Sequence, residues 1–261
     1  MPGQVFNPGI AVEATGRPPA FVYGEGVFGP QAEFRRLDDI RPSLLDPHCR
    51  GPEIVYSIAM DVGKADHRRL LLERRLLFGV VAYAEGKLGD EPVRSQGHIH
   101  RVSAYSGWST PEVYEIWRGR AVIYMQESAT DRPGRCYAVY AGPGDVVVVP
   151  PGWVHATISA DPGESLVFGA WCDREYGFEY DEIRRRRGIA WYPVFEGNEL
   201  KWIRNRHYGL FELIKKCPGK YPGLSIAGDK PIYTVFEDSP DAFLYVSEPE
   251  RKKEFWKHFE P

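Results

Sequence analysis

The sequence predicts an all-β barrel or sandwich with a few short flanking helices. Three observations predict it. Short apolar segments separated by Gly- and Pro-rich turns recur through most of the chain, several of them alternate in polarity, and chemistry-bearing residues fall at strand spacings.

The opening stretch to about Pro30 is rich in Gly and Pro, which predicts an extended arm, residues 1–34, laid over something larger. Asp38 to Leu45 is a short helical candidate. Strands are expected at Ile54 to Met60, Leu76 to Ala84, Glu112 to Gln126, Arg135 to Tyr140, Asp145 to Val149 and Ser165 to Trp171, making residues 35–190 the barrel. Glu179 to Arg187 is charged and reads as a helix. Residues 191–261 mix a basic amphipathic segment, Lys201 to Lys216, a Pro/Gly loop, a strand-like Pro231 to Phe236 and a charged final helix from Pro249. They form an appended α/β extension packed on the barrel.

A formal charge of −3 over 261 residues argues against a general attraction to nucleic acid or to an anionic membrane. Any anion site must be local. Cys49, Cys136, Cys172 and Cys217 are widely spaced with no C-x-x-C pair, which predicts reduced thiols and a cytoplasmic protein. The N-terminus lacks a basic segment followed by an apolar stretch, and no apolar run approaches membrane-spanning length, so export and membrane insertion are not expected.

The chemistry concentrates in the middle of the chain. In Gln96-Gly97-His98-Ile99-His100 the two histidines are two apart, so on a strand both project from one face toward one ion. His155 follows the apolar run Val146 to Val149 and a Pro-Pro-Gly turn that swings it back toward the barrel mouth. In Glu112-Val113-Tyr114-Glu115-Ile116-Trp117, alternation puts Glu112, Tyr114 and Ile116 on one face and Val113, Glu115 and Trp117 on the other. Glu112 is taken as the inward carboxylate, leaving Glu115 as a solvated residue of the outer face. Three imidazoles and one carboxylate, His98, His100, His155 and Glu112, suit a divalent metal. His48, His67, His207 and His258 carry no chemistry, and Arg184 to Arg187, without interleaved aromatics, reads as a solvated helix face.

These residues resemble the cupin superfamily. Gly144 to His155 matches the second cupin motif at every fixed position, and His98, His100, Glu112 and Gly119 match the latter half of the first. Pro92 replaces its leading glycine, and a hairpin loop enlarged over 101–111 absorbs the longer spacing. Within the cupins the chain is similar to the archaeal-type glucose-6-phosphate isomerase family over roughly Arg35 to Tyr180. The likeness is carried by Arg35-Arg36-Leu37-Asp38-Asp39, Ile54-Val55-Tyr56, Gly86-Lys87-Leu88-Gly89-Asp90-Glu91, Ser95-Gln96-Gly97-His98, Pro111-Glu112-Val113-Tyr114 and Pro143 to His155.

The resemblance implies a jelly-roll cupin barrel, a homodimer, and a metal-dependent aldose-ketose isomerase of glycolysis and gluconeogenesis acting on glucose 6-phosphate and fructose 6-phosphate. It implies one divalent metal per subunit on His98, His100, Glu112 and His155, Fe2+ first, with Mn2+, Ni2+ and Zn2+ as alternatives. Glu112 and Tyr114 are the catalytic candidates; Tyr56, Gly89, Ser95 and Tyr114 are the substrate contacts, with the small-molecule sugar phosphate as partner. Glu112 must loosen from the ion to act as a base, or the hydrogen moves as hydride.

Val81 and Phe178 depart from the family, standing where it has a threonine and a histidine, and Arg94 or a residue of the extension is the replacement phosphate contact to look for. Two rivals stay open: an iron-dependent cupin dioxygenase and a non-catalytic sugar-binding cupin.

Overall fold

The computed structural model describes residues 6–226, 228 and 230–261. Two sheets face each other. The larger runs in the order Val146–Val149, Glu112–Arg118, Val167–Asp173, Leu76–Tyr83, Ile54–Met60, Glu33–Arg36, with every neighbour antiparallel. The smaller runs Val154–Ser159, Ala121–Gln126, Cys136–Ala141, Leu213–Lys216, the last strand lying parallel to its neighbour. This is the predicted all-β architecture.

The strands form where β-branched residues cluster. Val146–Val149 is buried on both faces, as suits an apolar run closed in by protein on each side. The stretch Glu112 to Gln126 divides at Gly119 into two strands that enter different sheets. Gly119 turns with φ +79, and a Cβ there would lie 3.0 Å from the Ser165 carbonyl oxygen, so only glycine makes this crossing without strain.

The segment leading to His98 widens the smaller sheet. Arg94 bridges Ile158, the Ser95 amide donates to the Thr157 carbonyl, and His98 and His155 exchange both backbone hydrogen bonds. Residues 101–111 form a loop pinched by a bridge between Val102 and Ser109.

The N-terminal arm contains a hairpin, Val12–Thr15 with Ala20–Tyr23; its first five residues lie outside the described ones. Residues 191–261 supply a hairpin, Trp191–Glu196 with Glu199–Arg204, then the parallel strand of the smaller sheet, then short helices. One expectation is overturned here. Pro231 to Phe236 is not a strand, because Ile232–Asp238 is a helix on the outer face of the larger sheet. Tyr233 and Phe236, three residues apart, share one side of a helix and both reach Trp171, at centroid distances of 5.6 and 4.8 Å. A strand would send them to opposite faces. Among the described residues no helix is long and apolar enough to cross a membrane.

Candidate metal centre

The two sheets bring together side chains that are far apart in the chain. Glu112 comes from the larger sheet, His155 and its bridge partner His98 from the edge of the smaller one, and His100 from the short strand Ile99–His100, which pairs with Phe178–Glu179. One ligand atom from each of the four lies within 4.8 Å of all the others. His98 and His155 are direct cross-strand partners with ring centroids 4.2 Å apart, and His100 lies 5.3 Å from His98 and 4.9 Å from His155.

Hydrogen bonding fixes which nitrogens face the centre. His100 Nδ1 lies 2.9 Å from the Thr110 carbonyl oxygen, and His155 Nδ1 lies 3.1 Å from that of Trp153. A carbonyl only accepts, so each Nδ1 carries a proton, and in a ring with that single proton the Nε2 lone pair turns inward. Those two Nε2 atoms stand 3.2 and 3.3 Å from Glu112 Oε2. Two lone pairs against a carboxylate oxygen repel unless a cation lies among them. The buried Nε2 of His98 and that of His100 have no well-aligned protein partner. Backbone carbonyls that orient ligand imidazoles in this way are the usual outer support of a metal site. The residues present therefore fit a divalent ion.

The electrostatics agree. Burial, then the neighbouring His155 and His100, hold the His98 imidazole well below its ordinary pKa. Burial likewise lowers His155. For Glu112, burial alone would raise the carboxyl, but His100 and His155 outweigh it wherever their Nε2 atoms bear a proton and keep the pKa well below the usual range; that positive charge stands where a metal ion would.

Glu112 has two further partners. The Tyr114 hydroxyl donates to its Oε2 at 2.7 Å, and the Cys172 thiol donates to its Oε1 at 3.3 Å. Burial, reinforced by the Glu112 charge, pushes both the phenol and the thiol well above their ordinary pKa values, so both remain protonated. Cys172 was not singled out from the sequence. Alternation beyond Trp171 was the signal that could have found it.

The expected substrate contacts divide. Tyr56 lies on the inner face, its ring stacked on Tyr83 at 4.7 Å, and Tyr83 reaches Ser95 and Thr157. Ser95 is buried, its Oγ accepting the Thr157 amide at 3.0 Å. Gly89 does not join them, because its amide is spent on the Arg50 carbonyl at 2.8 Å in an exposed turn. Arg94 is excluded as a ligand group: fully buried, it pairs with Glu91 at 2.7 Å and donates to the carbonyls of Ser95 and Ser43. Val81 faces inward opposite Phe168, and the Phe178 ring lies 4.5 Å from that of His98.

Glu115 is a second correction. It is 1% exposed rather than solvated, and its oxygens accept the Ile232 amide at 2.8 Å and the Trp117 indole N–H at 3.0 Å. The helix behind the sheet buries it, and nothing local in the sequence announces that helix. The run Arg184 to Arg187 is also more engaged than expected: Arg184 holds Gln96, and Arg186 holds the Ala129 carbonyl and Asp131.

Residues 36–210 match the family model described as glucose-6-phosphate isomerase. The chain belongs to the glucose-6-phosphate isomerase family. Glucose-6-phosphate isomerase of Thermococcus gammatolerans is 26% identical over 184 residues, covering 67% of this chain and 87% of that protein. The enzyme of Pyrococcus furiosus is 25% identical over 186 residues, 68% of this chain and 88% of its own. In Sinorhizobium medicae a glucose-6-phosphate isomerase is 31% identical over 122 residues, 47% of this chain and 52% of that one. Among solved structures, an oxalate oxidase superposes with a TM-score of 0.31 at 16% identity, covering 40% of this chain and 45% of that one. Hazelnut vicilin gives 0.36 at 13%, with 57% and 33% covered. The histidines and the carboxylate of the centre lie within the stretch that the family model matches.

Proposed function

We infer that the protein interconverts glucose 6-phosphate and fructose 6-phosphate, using one divalent metal held by His98, His100, Glu112 and His155. The observation that carries this reading is the pair of inward Nε2 atoms 3.2 and 3.3 Å from Glu112 Oε2, in a chain of the glucose-6-phosphate isomerase family. Fe2+ is the first candidate, with Mn2+, Ni2+ and Zn2+ to be compared; ligand type alone does not choose among them. Mannose 6-phosphate is a further substrate to test. A homodimer in the cytoplasm, with 35–190 as the catalytic barrel and 191–261 as its cover, fits the same reading.

A divalent ion in this cluster supplies Lewis acidity, polarising the carbonyl of an open-chain sugar and favouring the enediolate. Glu112 is the group we assign to hydrogen transfer: it takes the proton from C2 of the aldose and returns it to C1, while the hydroxyl proton passes from O2 to O1. Its Oε1, turned away from the inward histidine nitrogens, is the oxygen suited to this work. Tyr114, kept protonated, steadies Oε2 and presents a phenol to a substrate oxygen. Burial of the centre keeps water from competing for both oxygens.

The test is conversion of fructose 6-phosphate to glucose 6-phosphate by protein stripped with chelator and reloaded separately with iron, manganese, nickel and zinc. Turnover that returns with metal and disappears in Glu112→Gln is expected. No turnover with any metal, despite stoichiometric loading, sinks the reading, and oxygen uptake by the iron form would point to the dioxygenase.

A further inference from the structure

The inner face of the larger sheet ends on a charge that the fold itself does not use. Arg35, on the edge strand Glu33–Arg36, lies directly opposite Tyr56, and Tyr56 lies opposite Tyr83 on the next strand. Directly opposed residues of antiparallel strands share a face, so the three form one inward row. At its far end Tyr83 reaches Ser95, in the segment that carries His98. At its near end Arg35 stands half-buried beside Tyr56 and Tyr180, and the Tyr180 ring is 6.2 Å from that of His98.

The cations around the site differ in what they have left to give. Arg94 is consumed by Glu91 and two carbonyls. Arg184 donates to Gln96 Oε1 at 2.9 Å and to the Asp39 carbonyl at 3.2 Å. Arg35 has no carboxylate ion pair among the described residues, and its buried Nε has no partner. Asp39 is close enough for its charge to be felt, but one of its oxygens accepts the Arg36 amide. The Tyr56 hydroxyl is the polar side-chain atom within hydrogen-bonding reach of Arg35. A buried guanidinium donor left without an acceptor is costly, and its planar fork matches two oxygens of a phosphate.

We propose that Arg35 is the anion receptor of the substrate pocket, binding the terminal phosphate monoester of the open-chain sugar while the carbonyl end faces the histidine cluster. The identity of the sugar rests on the isomerase reading; the demand for an anion rests on Arg35. A positively charged receptor beside Tyr56 and Tyr180 separates phosphorylated from free sugars by charge. It does so at the end of the substrate remote from the reacting carbons, so it contributes to binding and not to the chemical step.

The experiment compares wild type, Arg35→Gln and Arg35→Lys, each loaded with the same metal and checked for metal content and melting temperature. Arg35→Gln is expected to raise KM for fructose 6-phosphate at least about tenfold with kcat changed less than about threefold, the signature of lost uniform binding. It is also expected to abolish competitive inhibition by inorganic phosphate, with Arg35→Lys in between. A folded, metal-loaded Arg35→Gln with wild-type KM and phosphate inhibition overturns the proposal. If Arg35→Gln does not fold, Arg35→Lys decides, since it keeps the charge but not the fork; an unchanged KM there overturns the role of the fork.

Calorimetric titration with fructose 6-phosphate separates the two ideas. Binding that depends on Arg35 in a wild type without turnover keeps the anion receptor and sinks the isomerase. Turnover with a KM indifferent to Arg35 does the reverse, and a metal-loaded wild type that fails to bind overturns both.

Discussion

Glu112 and Glu115 lie three residues apart on one strand and point to opposite faces of it, and both are buried, 8% and 1% exposed. Burial pushes both carboxyls up. At Glu112, His100 and His155 reverse the push and leave the pKa well below the ordinary range. At Glu115 the Ile232 amide and the Trp117 indole N–H oppose burial without overcoming it, and the pKa stands at about 7. Depth therefore does not decide what a buried carboxylate does. Partners do: on one face they set the carboxylate among three imidazoles, a donor set that suits a metal, and on the other they tie a helix to the back of the sheet.

The sharpest way to break the comparison is to neutralise each carboxylate in turn. Glu112→Gln removes the proposed ligand and the proposed base together, and turnover of fructose 6-phosphate is expected to fall about a thousandfold or more, with loss of bound metal. Glu115→Gln keeps an acceptor behind the sheet, and activity within about threefold of wild type is expected at neutral pH. Comparable losses in the two variants would mean that the faces are not functionally distinct.

The second effect is on stability. Glu115 binds its proton more tightly folded than unfolded, its pKa raised from 4.5 to about 7. Its stabilising contribution is therefore complete below pH 4.5 and is lost as pH rises through about 7. At ~1.4 kcal/mol per unit the loss is about 3 kcal/mol. Chemical denaturation of wild type and Glu115→Gln across this window should show the wild type losing ground by about that much between pH 4.5 and 8. Parallel curves would remove Glu115 from the account.

Tyr114→Phe acts within the inward face. It deletes one hydrogen bond to a charged oxygen, ~1.5 kcal/mol or somewhat more, so kcat should drop roughly tenfold while metal content is retained. A variant that loses the metal would show instead that Tyr114 serves to hold Glu112 as a ligand.

The two faces were not equally legible. H-x-H, the Pro-Gly to Trp-x-His run and strand alternation are local patterns, and they placed His98, His100, His155, Glu112 and Tyr114 around one point. The outward face depends on a helix more than a hundred residues away: Ile232 caps Glu115 across a separation of 117. Its Ile-Tyr-Thr-Val-Phe sequence favours strands, and packing of Tyr233 and Phe236 on Trp171 overrides that preference. The same limit governs cations. Arg94 is spent largely on neighbours in its own segment, Glu91 and the Ser95 carbonyl, whereas the unpaired Nε of Arg35 shows only once the other segments are in place.

The smallest expected effect belongs to Cys172, the one inward partner of Glu112 that is a weak donor. Its thiol reaches Oε1 at 3.3 Å, the oxygen assigned to hydrogen transfer, and burial keeps it protonated. A thiol hydrogen bond steers that oxygen at little cost in basicity, so Cys172 is expected to position Glu112. Cys172→Ala should lower kcat about threefold without altering metal content, and Cys172→Ser, which restores a donor, should recover most of it. Alkylation separates this role from reactivity. Cys217 is exposed and Cys172 buried, so iodoacetamide should modify Cys217 first and leave turnover intact. Rapid inactivation tracking modification of Cys172 would mean that the inward face opens to solvent far more than its burial allows. An alanine variant as active as wild type would mean that the histidines and Tyr114 alone fix Glu112.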